Sequence, residues 1–354
     1  MSPIDKQQAQ YSIFDDAFGF VTVSFILADG YSPCKTEWSG RIVLPMTYGQ
    51  HILRADKTGS TGLSRLTVAN SEPLVWGKRT YLMGIINLTP DSFSGDGLGS
   101  DVEAAVEQAL RFQEEGADFL DVGAESTRPT AAPITAEEEL RRLMPTLEAI
   151  ASKVSIPISV DTYKAQVAQQ AIQAGAVIIN DVWGLKSEPD LADVAAQADV
   201  PIILMHNQET RNYENLLTEV TASLSNSVTM AINAGVRESN IILDPGIGFG
   251  KTPDHNLEIL GRLGEFKGLG YPLLVGTSRK STIRLTLELG PELGLDSKTN
   301  DGSQALLQGT AATVALAIAS GADIVRVHDV KEMLSVCKMS DAVVRSWRPS
   351  SWKR

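Results

Sequence analysis

The sequence predicts an α/β fold, a (β/α)8 TIM barrel preceded by a short N-terminal extension of β-like or irregular structure. Three observations lead there. From Tyr81 onward, eight short apolar runs alternate with longer amphipathic stretches, the pattern of parallel strands buried on both faces and joined by helices. Eight such units over ~265 residues match the size of this barrel. The GxGxxG turn that often opens a doubly wound sheet is absent after the first run, which disfavours the open-sheet rival. The barrel is expected over residues 75–354 and the extension over residues 1–74.

The elements follow in order. The first strand is YLMGIIN (81–87), and a helix from Asp101 to Glu115 carries Val102, Val106, Ala109 and Leu110 on one face. FLDVGA (119–124) is the second strand. The helix from Thr135 to Ala151 opens with a capping threonine and acids in its first turn, and Glu138 stands at the capping-box position. PISVDT (157–162) leads into a helix from Lys164 to Ala174, and VIINDV (177–182) is the fourth strand. PIILMH (201–206) precedes a helix from Asn215 to Ala234; IILDPG (241–246) and PLLVGT (272–277) follow. A helix from Ser303 to Ser320 leads to the last strand, IVRVHD (324–329). Gly116, Gly175, Gly235 and Gly321 stand where left-handed helix caps are needed. Upstream, FGFVTVSFIL (18–27) and GRIVLPM (40–46) read as strands, and Lys57 to Ser64 as a linker.

Composition excludes several function classes. With 31 Lys+Arg against 43 Asp+Glu, the net charge is −12, which opposes nucleic acid as a partner. No apolar run approaches the ~18–20 residues of a membrane span, so no membrane partner is expected. The start, MSPIDKQQAQ, lacks the order of a signal peptide, and a cytoplasmic location follows. Cys34 and Cys337 are far apart and lie in no metal-binding spacing.

The chemistry gathers at strand ends. Asn87 closes the first strand; Glu125-Ser126-Thr127-Arg128-Pro129 follows the second. Asp161, Asn180-Asp181, His206-Asn207 and Asp244 end the next four, Ser278-Arg279-Lys280-Ser281 follows the seventh, and Arg326 and His328 end the eighth. A lone Asp in such a place often caps a helix, His206 alone could be a core histidine, and His255 reads as a helix-surface residue. Eight polar strand ends converging on one rim, where this fold builds active sites, favour function for the set. Asp161, Asn180 and Asp244 can read a flat heterocycle through its ring N–H and amino groups. Arg326 and His328, two apart on one strand, share a face and suit a phosphate or pyrophosphate. Asn87 offers the neutral oxygen that Mg²⁺ accepts when substrate phosphates complete its shell. The stretches 89–99 and 125–135 read as flaps.

At these residues the sequence resembles the dihydropteroate synthase family. MGIINLTPDSFSGDG (83–97), DVGAESTRP (121–129), SVDTYK (159–164), IINDVWG (178–184), LMHN (204–207), ILDPGIGFGK (242–251), GTSRKS (276–281) and VRVHDV (325–330) resemble family segments in the family's order. The departures at Gly95-Asp96-Gly97 and Gly123-Ala124-Glu125 are mild, and residues 1–75 lie outside the resemblance. The resemblance implies condensation of 6-hydroxymethyl-7,8-dihydropterin pyrophosphate with para-aminobenzoate, by an SN1-like displacement, to 7,8-dihydropteroate and pyrophosphate. It implies that Asp161, Asn180, Asp244 and Lys280 hold the pterin, that Asn87 binds Mg²⁺, and that Arg326 and His328 hold the anion with help from Thr127. Phe249, Pro129 and Ser281 would border the para-aminobenzoate pocket, with Arg128 in the loop that orders there. A homodimer through late barrel helices is implied as well. The alternative is a pterin-binding methyltransferase domain that presents methyl-folate to a corrinoid.

Overall fold

The computed structural model describes residues 10–15, 21–26, 65–68, 72–89, 101–126, 132–290 and 300–352. The expected strand at 40–46, the linker at 57–64, most of the first flap, and Thr127, Arg128 and Pro129 lie outside the described residues. The chain divides into two compact units, Met1–Lys57 and Thr58–Arg354. In the first, Gln10–Asp15 pairs antiparallel with Val21–Ile26.

The second unit is the barrel. Its strands are β1 (Tyr81–Asn87), β2 (Phe119–Gly123), β3 (Ile158–Asp161), β4 (Ile178–Asp181), β5 (Ile202–Met205), β6 (Ile241–Asp244), β7 (Leu274–Val275) and β8 (Ile324–Val327). They pair in parallel in the order β6-β5-β4-β3-β2-β1-β8-β7. A parallel bridge from Leu243 to Leu273 brings the two outer strands together and closes the ring.

Helices α1 (Val102–Glu115), α2 (Ala136–Ala151), α3 (Ala165–Gln173), α4 (Leu191–Ala198), α5 (Leu216–Asn233), α6 (Pro253–Gly261), α7 (Ser281–Thr286), α8 (Asn300–Ala319) and α9 (Val330–Val344) return the chain between strands or close it. The C-terminal cap of α1 is as expected, with Gly116 in the left-handed conformation at φ 97°, and at the other end Asp101 accepts from the Ala104 N–H. Its buried stripe runs through Ala105, Ala109 and Phe112, one side of the face expected from sequence. Thr135 caps α2 by accepting from the Glu138 N–H at 3.3 Å. The Glu138 carboxylate, however, goes to Arg141 and Arg142; a nearby guanidinium outcompetes the N-cap amide because both partners are charged. The complete capping box is at α6, between Thr252 and His255, so His255 holds a helix start.

Period-2 alternation sorts each strand. Leu82, Leu120, Val160, Ile179, Leu204, Leu243 and Val325 face the helices and share one core. Tyr81, Met83, Phe119, Ile178, Ile203, Ile242, Leu274 and Ile324 point inward and form a second core at the N-terminal pole. Leu66, Val68 and Leu74, expected outside the barrel, belong to this inner cluster. Leu66 stands opposite Leu74 in a short antiparallel pair, and with Val68 they floor the barrel. Two residues beyond Phe119, Ile178, Ile242 and Ile324, the inward positions of β2, β4, β6 and β8 become polar.

Candidate active site

The polar layer begins at β2, β3, β4 and β8. Phe119 is followed on the same face by Asp121, Ile178 by Asn180, and Ile324 by Arg326. Asp121 is fully buried. Its Oδ2 accepts from Arg326 Nε at 2.6 Å and from Asn180 Nδ2 at 3.0 Å. Arg326 Nη2 donates to Asp161 Oδ2 at 2.8 Å, and Asp161 stands opposite Asn180 in the β3–β4 register. Four of the side chains that end these strands thus form one hydrogen-bonded unit. Asp121 Oδ1, Asp161 Oδ1 and Ser159 Oγ are buried without a hydrogen-bond partner among the described residues. Buried polar atoms are normally paired, so these acceptors suit a ligand that brings N–H donors. Burial pushes the Asp161 carboxyl up to about 7; the Arg326 guanidinium opposes this and the Asp121 carboxylate adds to it. Burial disfavours the Arg326 charge, but Asp121 and Asp161 outweigh it and raise its pKa.

Opposite this unit lies the loop after β6. Asp244 accepts from the Gly246 N–H at 2.7 Å, and burial raises its carboxyl against the pull of Lys280. Lys280, at the N-terminal boundary of α7, donates to the Ile247 carbonyl, and its ammonium lies 4.6 Å from the centroid of the Phe249 ring. Burial lowers Lys280 to about 8, with Asp244 resisting. Phe249 is half-buried, and Ser281, which follows Lys280 as the first residue of α7, is exposed. His328 Nδ1 lies 3.0 Å from Ser278 Oγ, which also accepts from the His328 N–H at 3.2 Å. Arg279 pairs with Asp329 through Nε at 3.0 Å. Arg111, Glu115, Arg279, His328, Asp329 and Glu332 border a cavity of about 340 Å³, in which Arg111 faces Glu115 and Arg279 faces Asp329. A larger cavity of about 600 Å³ lies at the opposite pole, between Lys78, Arg79, Asp118 and Trp347. It holds none of the residues named for the site.

Of the residues singled out from sequence, Asp161 joins Arg326 directly and Asn180 joins it through Asp121, Asp244 stands with Lys280 and Phe249, and His328 is tied to the β7 loop. Arg326, expected at the anion, gives two of its donors to carboxylates inside the barrel. Asn87 is half-buried at the end of β1. Sequence reasoning missed Asp121 as a site residue; its signal was an aspartate at an inward position of an otherwise apolar run. His206, which taken alone could be a core histidine, is buried, and its Nδ1 lies 2.8 Å from Lys251 Nζ.

A family model described as pterin binding enzyme matches residues 83–328. A dihydropteroate synthase of Bacillus subtilis is 46% identical over 284 residues, 80% of this chain and 95% of that protein. The crystal structure of a Clostridium difficile dihydropteroate synthase in the presence of pteroic acid is 44% identical, with a TM-score of 0.70 over 76% of this chain and 98% of that one. A Xanthomonas albilineans dihydropteroate synthase with 4-aminobenzoic acid is 39% identical, with a TM-score of 0.70 over 81% and 99%. The alternative of a methyl-folate-presenting domain finds no support in these likenesses.

Proposed function

The chain belongs to the dihydropteroate synthases of the pterin-binding enzyme family, and on that premise we propose how its residues join 6-hydroxymethyl-7,8-dihydropterin pyrophosphate to para-aminobenzoate. The observation that carries the reading is the buried set of acceptors without partners, Asp121 Oδ1 and Asp161 Oδ1, beside Asn180. A pterin edge brings the ring N–H and amino donors that this set lacks.

The pterin sits ring-first among Asp161, Asn180 and Asp244, with Lys280 donating to a ring acceptor. Bound ring donors favour the ionised form of Asp161, which otherwise titrates near neutrality. As the bond to pyrophosphate breaks in an SN1-like step, positive charge grows on the pterin methylene, and the Asp161 carboxylate stabilises it across a low-dielectric gap. His328, steadied by Ser278, and the remaining donors of Arg326 take the departing anion. The arylamine attacks from the side of Phe249 and Ser281. No covalent enzyme nucleophile is needed.

Mg²⁺ is the metal the family implies. Among the described residues, no group of three His, Cys, Asp or Glu suits a metal ion. Asn87 fits the role of one neutral oxygen ligand at the mouth, the rest of the shell coming from water and substrate phosphates. When bound, the ion would neutralise charge on the pyrophosphate. A homodimer through the late helices is supported by exposed Leu257, Leu285, Leu287 and Leu316 on or beside α6, α7 and α8. Among the described residues no helix is long and apolar enough to cross a membrane, and a cytoplasmic location is part of the proposal.

The test is pyrophosphate release by the full chain with Mg²⁺, the pterin pyrophosphate and para-aminobenzoate. Release that requires all three, and that is lost in folded Asp161→Asn, is expected. No release above the blank would end the reading.

A further inference from the structure

One buried cation has no part in the mechanism above. Lys251 closes the loop after β6, and only 4% of it is exposed. Among the described residues no carboxylate lies within ion-pair distance of its ammonium. Its Nζ instead lies 2.8 Å from His206 Nδ1 and donates to the Gly246 and Phe249 carbonyls, each at 3.0 Å. Burial lowers the Lys251 pKa to about 7 against the pull of the Asp244 carboxylate, and direct contact is made by these neutral groups alone.

The three acceptors have meaning in the fold. His206 directly follows β5, Gly246 begins the next loop, and Phe249 is the ring beside Lys280. The loop is packed hard against its neighbour. At Gly246 (φ 74°) an added Cβ would meet the His206 carbonyl oxygen at 1.9 Å, and at Gly250 (φ 56°) the Gln208 carbonyl oxygen at 2.5 Å. On its other side, the Ile247 carbonyl accepts from Lys280. His206 Nδ1 faces the Lys251 amino group, and the ring is neutral. Burial, then the charges of Lys251 and Lys186, keep it so, pushing its pKa down to about 2.

We propose that Lys251, with His206, is a positioning residue for the arylamine half of the site: it fixes the backbone that presents Phe249 to para-aminobenzoate. The inference rests on the reading that Phe249 borders the arylamine pocket.

The test is steady-state kinetics of the full chain with both substrates varied. Lys251→Met keeps the length of the side chain and removes the donors. The expected result is a rise of about tenfold in the arylamine KM, with the pterin pyrophosphate KM within about twofold. A purely structural role would lower the folded fraction and leave both KM values of that fraction unchanged. Equal rises in both KM values, or a fall in kcat alone, would also overturn the proposal. If Lys251→Met does not fold, His206→Leu removes one acceptor and is expected to raise the arylamine KM about threefold; no change there counts against the proposal. Phe249→Ala is measured alongside. A normal arylamine KM in Phe249→Ala removes the pocket assignment, whereas a raised one beside unchanged Lys251→Met overturns the role of Lys251 alone.

Discussion

Truncating Leu66 to alanine is expected to destabilise the barrel far from its chemistry. Leu66 is 1% exposed and packs with Val68 and Leu74 against the inward residues of the strands, including Tyr81, Met83, Phe119, Ile242 and Ile324. Removing three carbon atoms loses roughly 2.4 kcal/mol of transfer free energy at ~0.8 kcal/mol per buried methylene. A cavity term adds to this, because a floor held by a closed ring of strands cannot collapse into the space. The total falls at about 3–5 kcal/mol, within the range for buried Leu→Ala. At about 2–4 °C per kcal/mol for a domain somewhat smaller than this one, the melting temperature should fall by about 6–20 °C. The assay is urea and thermal unfolding of full-length protein, with Arg65→Ala as control. Arg65 neighbours Leu66 in the same short strand but is exposed, and its change should stay within about 0.5 kcal/mol. KM values of the folded Leu66→Ala protein should match wild type, since the site is at the other pole. A loss below about 1 kcal/mol, or one no greater than that of Arg65→Ala, would refute the assignment of this segment to the barrel floor. A chain begun at Ser71 lacks both Leu66 and Val68, and should be less stable still.

Three further outcomes are expected. Folded Asp161 binds its proton more tightly than the unfolded chain does, so its contribution to stability is present below about pH 4 and is lost as pH rises through about 7; wild type compared with Asp161→Asn by urea unfolding should therefore become relatively less stable across that window, and a flat difference would remove the shift. Asp121→Asn leaves Arg326 without one carboxylate partner and should raise the KM for the pterin pyrophosphate by roughly tenfold or more, with the arylamine KM little changed; unaltered kinetics would show that Asp161 alone holds the guanidinium. Gly246→Ala should abolish folded protein in a solubility assay, because its Cβ would lie 1.9 Å from the His206 carbonyl oxygen, whereas Gly261→Ala meets nothing within 4 Å and should be neutral or stabilising.

What could be read in advance depended on range. Strand order, the polar ends of the strands and the glycine caps were legible because each is written within a few residues. The hydrophobic run YLMGIIN, for example, is itself a strand buried on both faces. The flaw in the capping-box reading of Glu138 shows the same limit at short distance. The pattern locates the residue but not the competitor, and Arg141 and Arg142 win its carboxylate.

By itself, the sequence determined that this chain is a barrel whose strand ends carry Asp161, Asn180, Asp244, Lys280, Arg326 and His328, because alternation along a strand is local and families keep motif order. Only the tertiary structure decided which of these groups touch. Asp121 and Arg326 are 205 residues apart and meet because β8 closes on β1 beside β2. Leu66, 1% exposed, joins the barrel because a ring of inward side chains needs a floor. Lys251 finds His206 because β5 and β6 are neighbours. Each is a contact between segments whose spacing along the chain encodes nothing about their distance in space.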